Sequence, residues 1–355
     1  MTDLQTHVRA SLRRRHHIVR VGPWSARFER RGAPVYLTLF AVAVAAGIAG
    51  ILIGDYPISL GQVVASFVGT ATDPLAQYFV TDVRLPRAVT ALLVGAALGT
   101  SGAIFQTISG NPLGSPDVIG FTTGSATGAL VQIIIVGGDT QAVALGAIVG
   151  GLATAAVVYG LAWRGGVAGF RLVLVGIGVS ATLAAVNSLL IVKAPLESAQ
   201  EAASWLAGSL NAVLWPEALS VALALAVLLP VAWVQFRALS SFPLGDLTAT
   251  SLGVRVERSR FVLIGVGVAL MAVATAATGP IAFVALAAPH LVRKITGTAG
   301  VGMFGAAMMG GVLVLVSDLV GRRVFAPAEL EVGVVTGTIG GLYLIFLLIV
   351  ERKRL

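Results

Sequence analysis

Four arginines stand at the ends of apolar stretches that are long enough to cross a bilayer. Arg84 and Arg87 are separated by Leu85-Pro86 and precede one such stretch, whereas Arg322 and Arg323 follow another. A guanidinium group binds a carboxylate through two parallel hydrogen bonds, so these side chains could hold an acidic partner outside the membrane. They could also extend to the phosphates of lipid headgroups. The residue types and their spacing leave both interpretations open.

A second candidate site is the polar loop at residues 242–255, which contains a short segment between two glycines. Asp246 is placed to cap a two-turn helix at its N-terminus, and Gly253 is a natural stop at the C-terminus. A helix this short is marginal in isolation and needs a neighbour. Its small side chains of mixed polarity fit a groove of another protein, although an ordinary solvated linker would have the same spacing.

Residue counts exclude several chemistries. The chain has no cysteine, which rules out disulfides, thiolate metal sites and cysteine nucleophiles. None of the lysines Lys193, Lys294 and Lys353 follows a glycine, so a Gly-Lys-Ser/Thr phosphate loop is absent. His290 is the only histidine beyond position 17, and a catalytic zinc needs about three protein ligands. If transport is ATP-driven, the ATPase is therefore another polypeptide. The polar loop at residues 242–255, called the inner loop below, is then its best docking candidate.

The composition indicates a polytopic α-helical membrane protein. Of the 355 residues, 57% are hydrophobic and 11% are charged, against about 25% charged in a typical soluble domain. Apolar runs near membrane length recur between short polar breaks, and the period-two alternation of a β-barrel is absent. We expect helices at residues 36–54, 88–108, 117–136, 142–161, 172–191, 217–234, 260–278, 281–295, 301–320 and 333–350.

The distribution of positive charge predicts the orientation of these helices. Nineteen of the 24 lysines and arginines fall on one predicted side and five on the other, which places both termini in the cytoplasm. Residues 1–35 are then an Arg-rich cytoplasmic tail, and residues 36–355 are one transmembrane domain with a cytoplasmic loop at 238–259. The four arginines lie outside, against the usual bias. Topology accounts for the net charge of +8, so no nucleic-acid partner is expected.

Polar side chains within the predicted helices are few. Ser180 and Asn187 in the fifth helix, and Thr336 in the tenth, could line a transport pathway or bridge neighbouring helices. No intramembrane chain of acidic residues or histidines is evident, which argues against an ion-coupled secondary transporter. Glycines spaced four apart favour close helix packing; they are Gly95/Gly99, Gly146/Gly150 and Gly333/Gly337.

With these segments placed, the chain resembles the FecCD family of ABC permeases, the membrane subunits of importers for ferric siderophores, haem and vitamin B12. The resemblance covers nearly everything after residue 35, and it depends on the joint order and spacing of motifs that are individually modest. These motifs are Arg84-Leu-Pro-Arg87, residues 95–106, Asn111-Pro-Leu with Pro116, Trp205 with Gly208-Ser209-Leu210, residues 244–254, Gly279-Pro-Ile-Ala-Phe-Val284, Pro289-His290-Leu-Val-Arg293 and Pro327-Ala-Glu-Leu-Glu-Val-Gly333.

The resemblance implies the type II ABC importer fold, an all-α subunit of about ten transmembrane helices that works as one of two permease subunits in a homo- or heterodimer. An extracytoplasmic substrate-binding protein would dock its acidic residues on Arg84, Arg87 and Arg322, with Arg323 as a substitute for Arg322. Two cytoplasmic ATPase subunits would sit on the inner loop. The coupling residues carried over are Leu244, Gly245, Asp246, Leu247, Ala249, Leu252 and Gly253.

The same resemblance implies a central pathway lined chiefly by the fifth and tenth helices, for which Ser180, Asn187 and Thr336 are the candidates. It implies no cofactor and no covalent chemistry. Ferric siderophore is the expected cargo because it is frequent in the family, with cobalamin and haem as alternatives. Some residues depart from the family pattern and bear on the eighth and tenth helices; they are Ala285, Glu331 and Leu342.

Overall fold

The structure is a computed structural model that describes residues 16–21, 24–29, 32–211, 213–297, 300–324 and 328–352. Within these residues, ten helices correspond one for one to the predicted spans, which confirms the all-α membrane fold. They are α1 (Gly32–Leu52), α2 (Leu85–Ser109), α3 (Phe121–Leu130), α4 (Thr140–Ala162), α5 (Gly169–Lys193), α6 (Trp215–Val234), α7 (Val256–Thr278), α8 (Val284–Thr296), α9 (Met303–Arg323) and α10 (Val332–Arg352).

Seven of the described helices are long and apolar enough to cross a membrane by length and composition, namely α1, α2, α4, α5, α6, α7 and α9. Two of the others are shorter as regular helices. α3 continues as a π-helix over Val131–Val136, and α8 has 13 residues. Within the described residues, α10 is apolar over Val332–Ile345.

The start of α8 differs from the sequence prediction. The sequence predicts a helix at residues 281–295, but the helix begins at Val284 and Phe283 is its N-cap residue. Phe283 has φ 67°, the only positive value at a non-glycine residue in the described part of the chain. The prediction was wrong because the chain after α7 is held elsewhere: Ser209 donates its N–H to the Thr278 carbonyl at 2.7 Å, and Gly279 packs on the Trp205 carbonyl.

A short antiparallel hairpin precedes α1. Its strands are β1 (His16–Val21) and β2 (Trp24–Glu29), with Ile18 opposite Arg27. Charge alone predicts a cytoplasmic tail here and carries no signal for a hairpin, although the β-branched residues of β1 favour extended backbone. The division into a tail at 1–35 and a transmembrane domain at 36–355 stays a prediction.

Glycines let α2 run against α9 at the centre of the molecule. A Cβ at Gly95 would overlap the Gly310 carbonyl, and a Cβ at Gly99 would overlap the Ala306 carbonyl. Lipid tails are as apolar as the side chains, so the hydrophobic effect does not drive helices together inside a membrane. Close backbone packing of this kind holds the bundle together instead. The close packing predicted for the Gly95/Gly99 pair is confirmed.

The two other glycine pairs differ from each other. Gly146 and Gly150 lie against the backbone of α3, as predicted. Gly333 meets the Ala207 carbonyl, but no atom lies within 4 Å of a Cβ built at Gly337. Close packing at this third pair is therefore confined to Gly333.

Short helices connect the long ones and carry the candidate sites. On the predicted outer side these are Leu60–Val68, Pro74–Tyr78, a π-helix at Phe79–Arg84, and Leu196–Ala207. On the predicted inner side, Asn111 closes a turn after α2, since its Oδ1 accepts from the Leu113 N–H at 2.9 Å. The inner loop consists of Phe236–Ser241, a 3₁₀ turn at Phe242–Leu244 and the helix Asp246–Ser251.

Candidate functional site

The Arg84 side chain is buried and bound to backbone. Only 6% of the residue is exposed. Its guanidinium donates to the carbonyls of Ile51 at 2.8 Å, Leu52 at 3.3 Å and Tyr56 at 2.6 Å. The last carbonyls of a helix have no intrahelical donors, so Arg84 caps the C-terminus of α1 and complements its dipole.

A buried carboxylate joins Arg87 to Arg322. Asp318 in α9 is 3% exposed and accepts from Arg87 Nη2 at 2.8 Å through Oδ1 and from Arg322 Nη2 at 3.0 Å through Oδ2. The pairing of Asp318 with Arg322 confirms an i, i+4 contact that the sequence suggests. Arg322 also donates to the carbonyls of Gly50 at 3.2 Å and Ile53 at 3.3 Å. Arg84, which precedes α2, and Arg322 of α9 thus both hold the end of α1.

The remaining outer cations are more accessible. Arg87 is 15% exposed and makes a second, longer ion pair with Glu329 at 3.4 Å. Arg323 is exposed, and it has no ion pair or hydrogen bond among the described residues. The four arginines that sequence treats alike therefore fall into two backbone caps, Arg84 and Arg322, and two groups that face outward, Arg87 and Arg323.

A tyrosine–aspartate pair orders the outer segment that Arg84 binds. The Tyr56 hydroxyl donates to Asp73 Oδ2 at 2.7 Å, and Asp73 Oδ1 caps the helix Pro74–Tyr78 by accepting from Leu75 N. The hydrogen bond from Tyr56 is the main cause that lowers the pKa of Asp73, with the backbone N–H groups adding to it. Because its folded pKa is depressed, Asp73 stabilises this segment above its unfolded pKa and loses that effect as pH falls through the folded pKa.

The inner loop presents apolar side chains to the predicted cytoplasm. Leu247 is 90% exposed, and Leu244 and Leu252 are exposed as well, whereas Ala249 is fully buried. Gly245 and Gly253 bracket the helix with φ of 89° and 82°, values that glycine adopts without strain. The predicted helix between glycines and its stop at Gly253 are confirmed.

One detail of the inner loop was predicted wrongly. Asp246 is the first residue of the helix and Gly245 is its N-cap, so the Asp246 carboxylate does not cap. It pairs instead with Arg260 in α7 at 2.8 Å. In the pair with Arg260, fourteen residues along the chain, both partners of the hydrogen bond are charged, whereas a backbone N–H at the helix start is a neutral donor.

The three pathway candidates do not share one site. Ser180 contacts Thr123 through their hydroxyl groups at 3.1 Å, and Asn187 Nδ2 approaches the Thr123 carbonyl at 3.5 Å, so both bridge α5 to α3. Thr336 lines a separate apolar cavity of about 240 Å³ between α8, α9 and α10. Their role in a transport pathway stays a prediction.

A cleft on the predicted outer side was not anticipated. It measures about 470 Å³ and is lined by residues that include Glu201, Glu217 and Glu331. One carboxylate oxygen of Glu331, Oε2, is buried and has no hydrogen-bond partner among the described residues. The only sign of this cleft in the sequence is that Glu331 stands where the FecCD pattern usually has proline.

Within the part of the chain that is described, no group of three metal-ligating side chains occurs.

Comparisons with known proteins find relatives along most of the chain. The model of the FecCD transport family matches residues 40–350. The ferric enterobactin transport system permease protein FepG of Escherichia coli (strain K12) is 48% identical over 318 residues, covering 90% of this chain and 96% of FepG. The achromobactin transport system permease protein CbrC of Dickeya dadantii (strain 3937) is 36% identical, covering 78% of this chain and 80% of CbrC.

A solved structure also matches along the chain. It is described as an ABC transporter of the metal-chelate type in an inward-facing conformation. The TM-score is 0.77 at 29% sequence identity, and the match covers 90% of this chain and 99% of the solved one.

Proposed function

Because the chain belongs to the FecCD transport family, we propose that it imports ferric siderophores across the cytoplasmic membrane. The family and the fold make it a membrane-spanning permease subunit of an ABC importer. The cargo is the proposed part, and the observation that carries it is the 48% identity to a permease for ferric enterobactin over 90% of the chain. The iron complex is cargo, so no resident metal site is required.

The inner loop would receive the ATPase subunits. Leu247, exposed at 90%, and its neighbours Leu244 and Leu252 form an apolar surface that a partner would cover on docking. The subunit itself would perform no covalent chemistry, because ATP hydrolysis belongs to two separate cytoplasmic ATPase subunits. ATP binding and hydrolysis there would move the inner loops and rock two permease subunits about a central pathway.

The outer arginines would receive an extracytoplasmic substrate-binding protein. Arg323 and the outward edge of Arg87 are the groups that acidic side chains of such a partner could reach. Arg84 and Arg322 would act indirectly, because their guanidinium groups hold the end of α1 beside the docking surface. This orientation places both termini in the cytoplasm, as the 19:5 division of lysine and arginine favours.

A second permease subunit, identical or different, would complete the pathway. α5 is mostly exposed and carries large apolar side chains, among them Leu174, Ile177 and Leu189. Lipid covers such a surface, and so does another permease subunit. The proposal includes a homodimer and a heterodimer of permease subunits.

The cargo is tested by uptake into proteoliposomes that contain the complete importer. Ferric enterobactin, ferric citrate, haem and cobalamin are offered separately, each with the importer's own binding protein. We expect ferric siderophore to accumulate and haem and cobalamin to stay outside. Accumulation of cobalamin or haem alone would overturn the siderophore proposal and leave the permease assignment standing.

A further inference from the structure

We propose that Arg260 is a positioning residue that ties the inner-loop helix Asp246–Ser251 to α7 and to the turn between α4 and α5. The inference depends on the proposed function only in naming ATPase subunits as the partner that moves this helix. No motif in the sequence singles out Arg260, which lies in the first turns of α7.

The Arg260 guanidinium makes contacts with three different segments. Nη2 donates to Asp246 Oδ1 at 2.8 Å, on the inner-loop helix. Nη1 donates to the Val167 carbonyl at 2.7 Å, in the α4–α5 turn, and to Glu257 Oε1 at 3.1 Å, within α7. One side chain of α7 thus joins its own helix to the inner-loop helix, 14 residues away in sequence, and to the α4–α5 turn, 93 residues away.

Glu257 closes the arrangement into a network. Its second oxygen, Oε2, accepts from the Val167 backbone N–H at 3.3 Å. Both backbone groups of Val167 are therefore bound, the carbonyl by Arg260 and the N–H by Glu257. Charge-assisted hydrogen bonds at Nη1 and Nη2 restrain the guanidinium, while Arg260 Nε is buried without a partner among the described residues.

Burial makes the Arg260 contacts costly to lose. The side chain is 5% exposed, and its guanidinium carbon lies 5.3 Å from the centre of the Phe242 ring. A charge in this position needs its partners, and its removal would leave the Val167 carbonyl without a donor. The network thus has a buried centre at Arg260, whereas the Asp246 side chain is 55% exposed.

The inner-loop helix has little else to hold its orientation. Ala249 is the one buried residue of its six, and the helix is bracketed by Gly245 and Gly253. A helix of six residues between two glycines can swing unless a side chain fixes it. The Asp246–Arg260 pair supplies that fixed point.

α7 then connects this point to the outer side of the molecule. It runs from Val256 to Thr278, whose carbonyl accepts from the Ser209 N–H at 2.7 Å. A displacement of the inner-loop helix would pass through Arg260 into α7 and reach the irregular segment before α8. Loss of Arg260 would let the helix move without α7.

The test uses two readouts on variants of the full chain reconstituted in lipid. Since the chain has no cysteine, a nitroxide on Thr248→Cys reports the mobility of the inner-loop helix without background labelling. The second readout is cargo transported per ATP hydrolysed with the ATPase subunits present. R260Q is compared with R258Q, a matched control at an exposed position in the same helix, and with R260K, which keeps the charge.

For R260Q we expect a more mobile label and at least about tenfold less cargo per ATP, because the substitution removes the charged donor that binds Asp246, Glu257 and the Val167 carbonyl. ATPase binding should stay unchanged, because Leu247 and its neighbours are untouched. R258Q should match the parent protein, and R260K should lie between the two. Equal label mobility in R260Q and R258Q, or unchanged cargo per ATP, would overturn the proposal.

Two provisions keep the result decisive. If R260Q fails to reach the membrane, D246N removes the same link from the exposed side of the network and is expected to mobilise the label; an immobile label would then overturn the proposal. If the parent complex transports nothing, the proposed function has failed, while label mobility without ATPase still tests the role of Arg260.

Discussion

Arg84 and Arg323 show how differently two arginines at the same membrane face can be used. Arg84 is buried and caps α1, whereas Arg323 is exposed and has no ion pair among the described residues. Sequence could not separate them, because the carbonyls that Arg84 binds lie 28 to 33 residues away along the chain. Only the folded position of α1 decides which guanidinium is free for a partner.

The two arginines therefore predict opposite phenotypes. Arg84→Gln should lower stability by about 2 kcal/mol, the cost of removing a charged donor from buried acceptors, and any loss of docking should follow from that. Arg323→Gln should weaken docking of the binding protein up to about fivefold at low salt, as expected of one exposed ion pair, with stability unchanged. Thermal unfolding in detergent and docking affinity measure the two effects.

The matched control is Arg323→Lys, which keeps the charge and should retain most of the docking affinity. A docking defect in Arg84→Gln without any loss of stability would contradict the capping role. A charge reversal at Arg84 and Arg87 together would be a poorer test, because it would also break the α1 cap and the Asp318 ion pair.

Among the helices, the short inner-loop helix and the packed pair α2–α9 are stabilised by different interactions. The helix is short, exposed and of mixed polarity, so its stability and its proposed function both depend on partners. α2 is mostly buried and lies against α9 through glycines. Sequence predicted both, because glycine spacing and helix stops are local signals. It missed the break before α8 and the Asp246–Arg260 pair, which depend on contacts between distant segments.

The inner-loop helix is tested by Leu247→Asp combined with Leu252→Asp. We expect ATPase binding to weaken at least about tenfold, because a leucine buried on docking contributes about 1.5–3 kcal/mol. Thr248→Asp, at an exposed polar position of the same helix, is the control and should bind nearly normally. Pull-down and ATPase titration measure the affinity, and normal binding by the double variant would make the loop a linker.

The α2–α9 contact is tested by Gly99→Val. The added side chain would collide with the Ala306 carbonyl, and overpacking of this kind should cost at least about 1–3 kcal/mol. Gly265→Ala in α7 is the control, since no atom lies within 4 Å of its new Cβ, and it should be neutral or slightly stabilising. Equal unfolding temperatures for the two variants would refute the close packing of α2 on α9.

At the scale of the whole molecule, the long apolar runs predicted the ten helices and the family resemblance predicted the architecture. Hydropathy reports each span locally, so boundaries fell within a few residues, as for α4 and α9. The sequence did not predict the hairpin before α1 or the outer cleft with Glu331, because neither charge counts nor hydropathy encode them. We propose that, in the assembled importer, this subunit moves a ferric siderophore only when separate ATPase subunits bind it and hydrolyse ATP.

That claim is tested most directly by uptake of ferric enterobactin into proteoliposomes, measured with and without the ATPase subunits. We predict accumulation only with ATP and competent ATPase subunits, and none with a hydrolysis-deficient ATPase that still binds the permease. A leak is excluded by omission of the permease. Accumulation driven by an ion gradient, in vesicles that contain this chain but no ATPase subunit, would contradict the account.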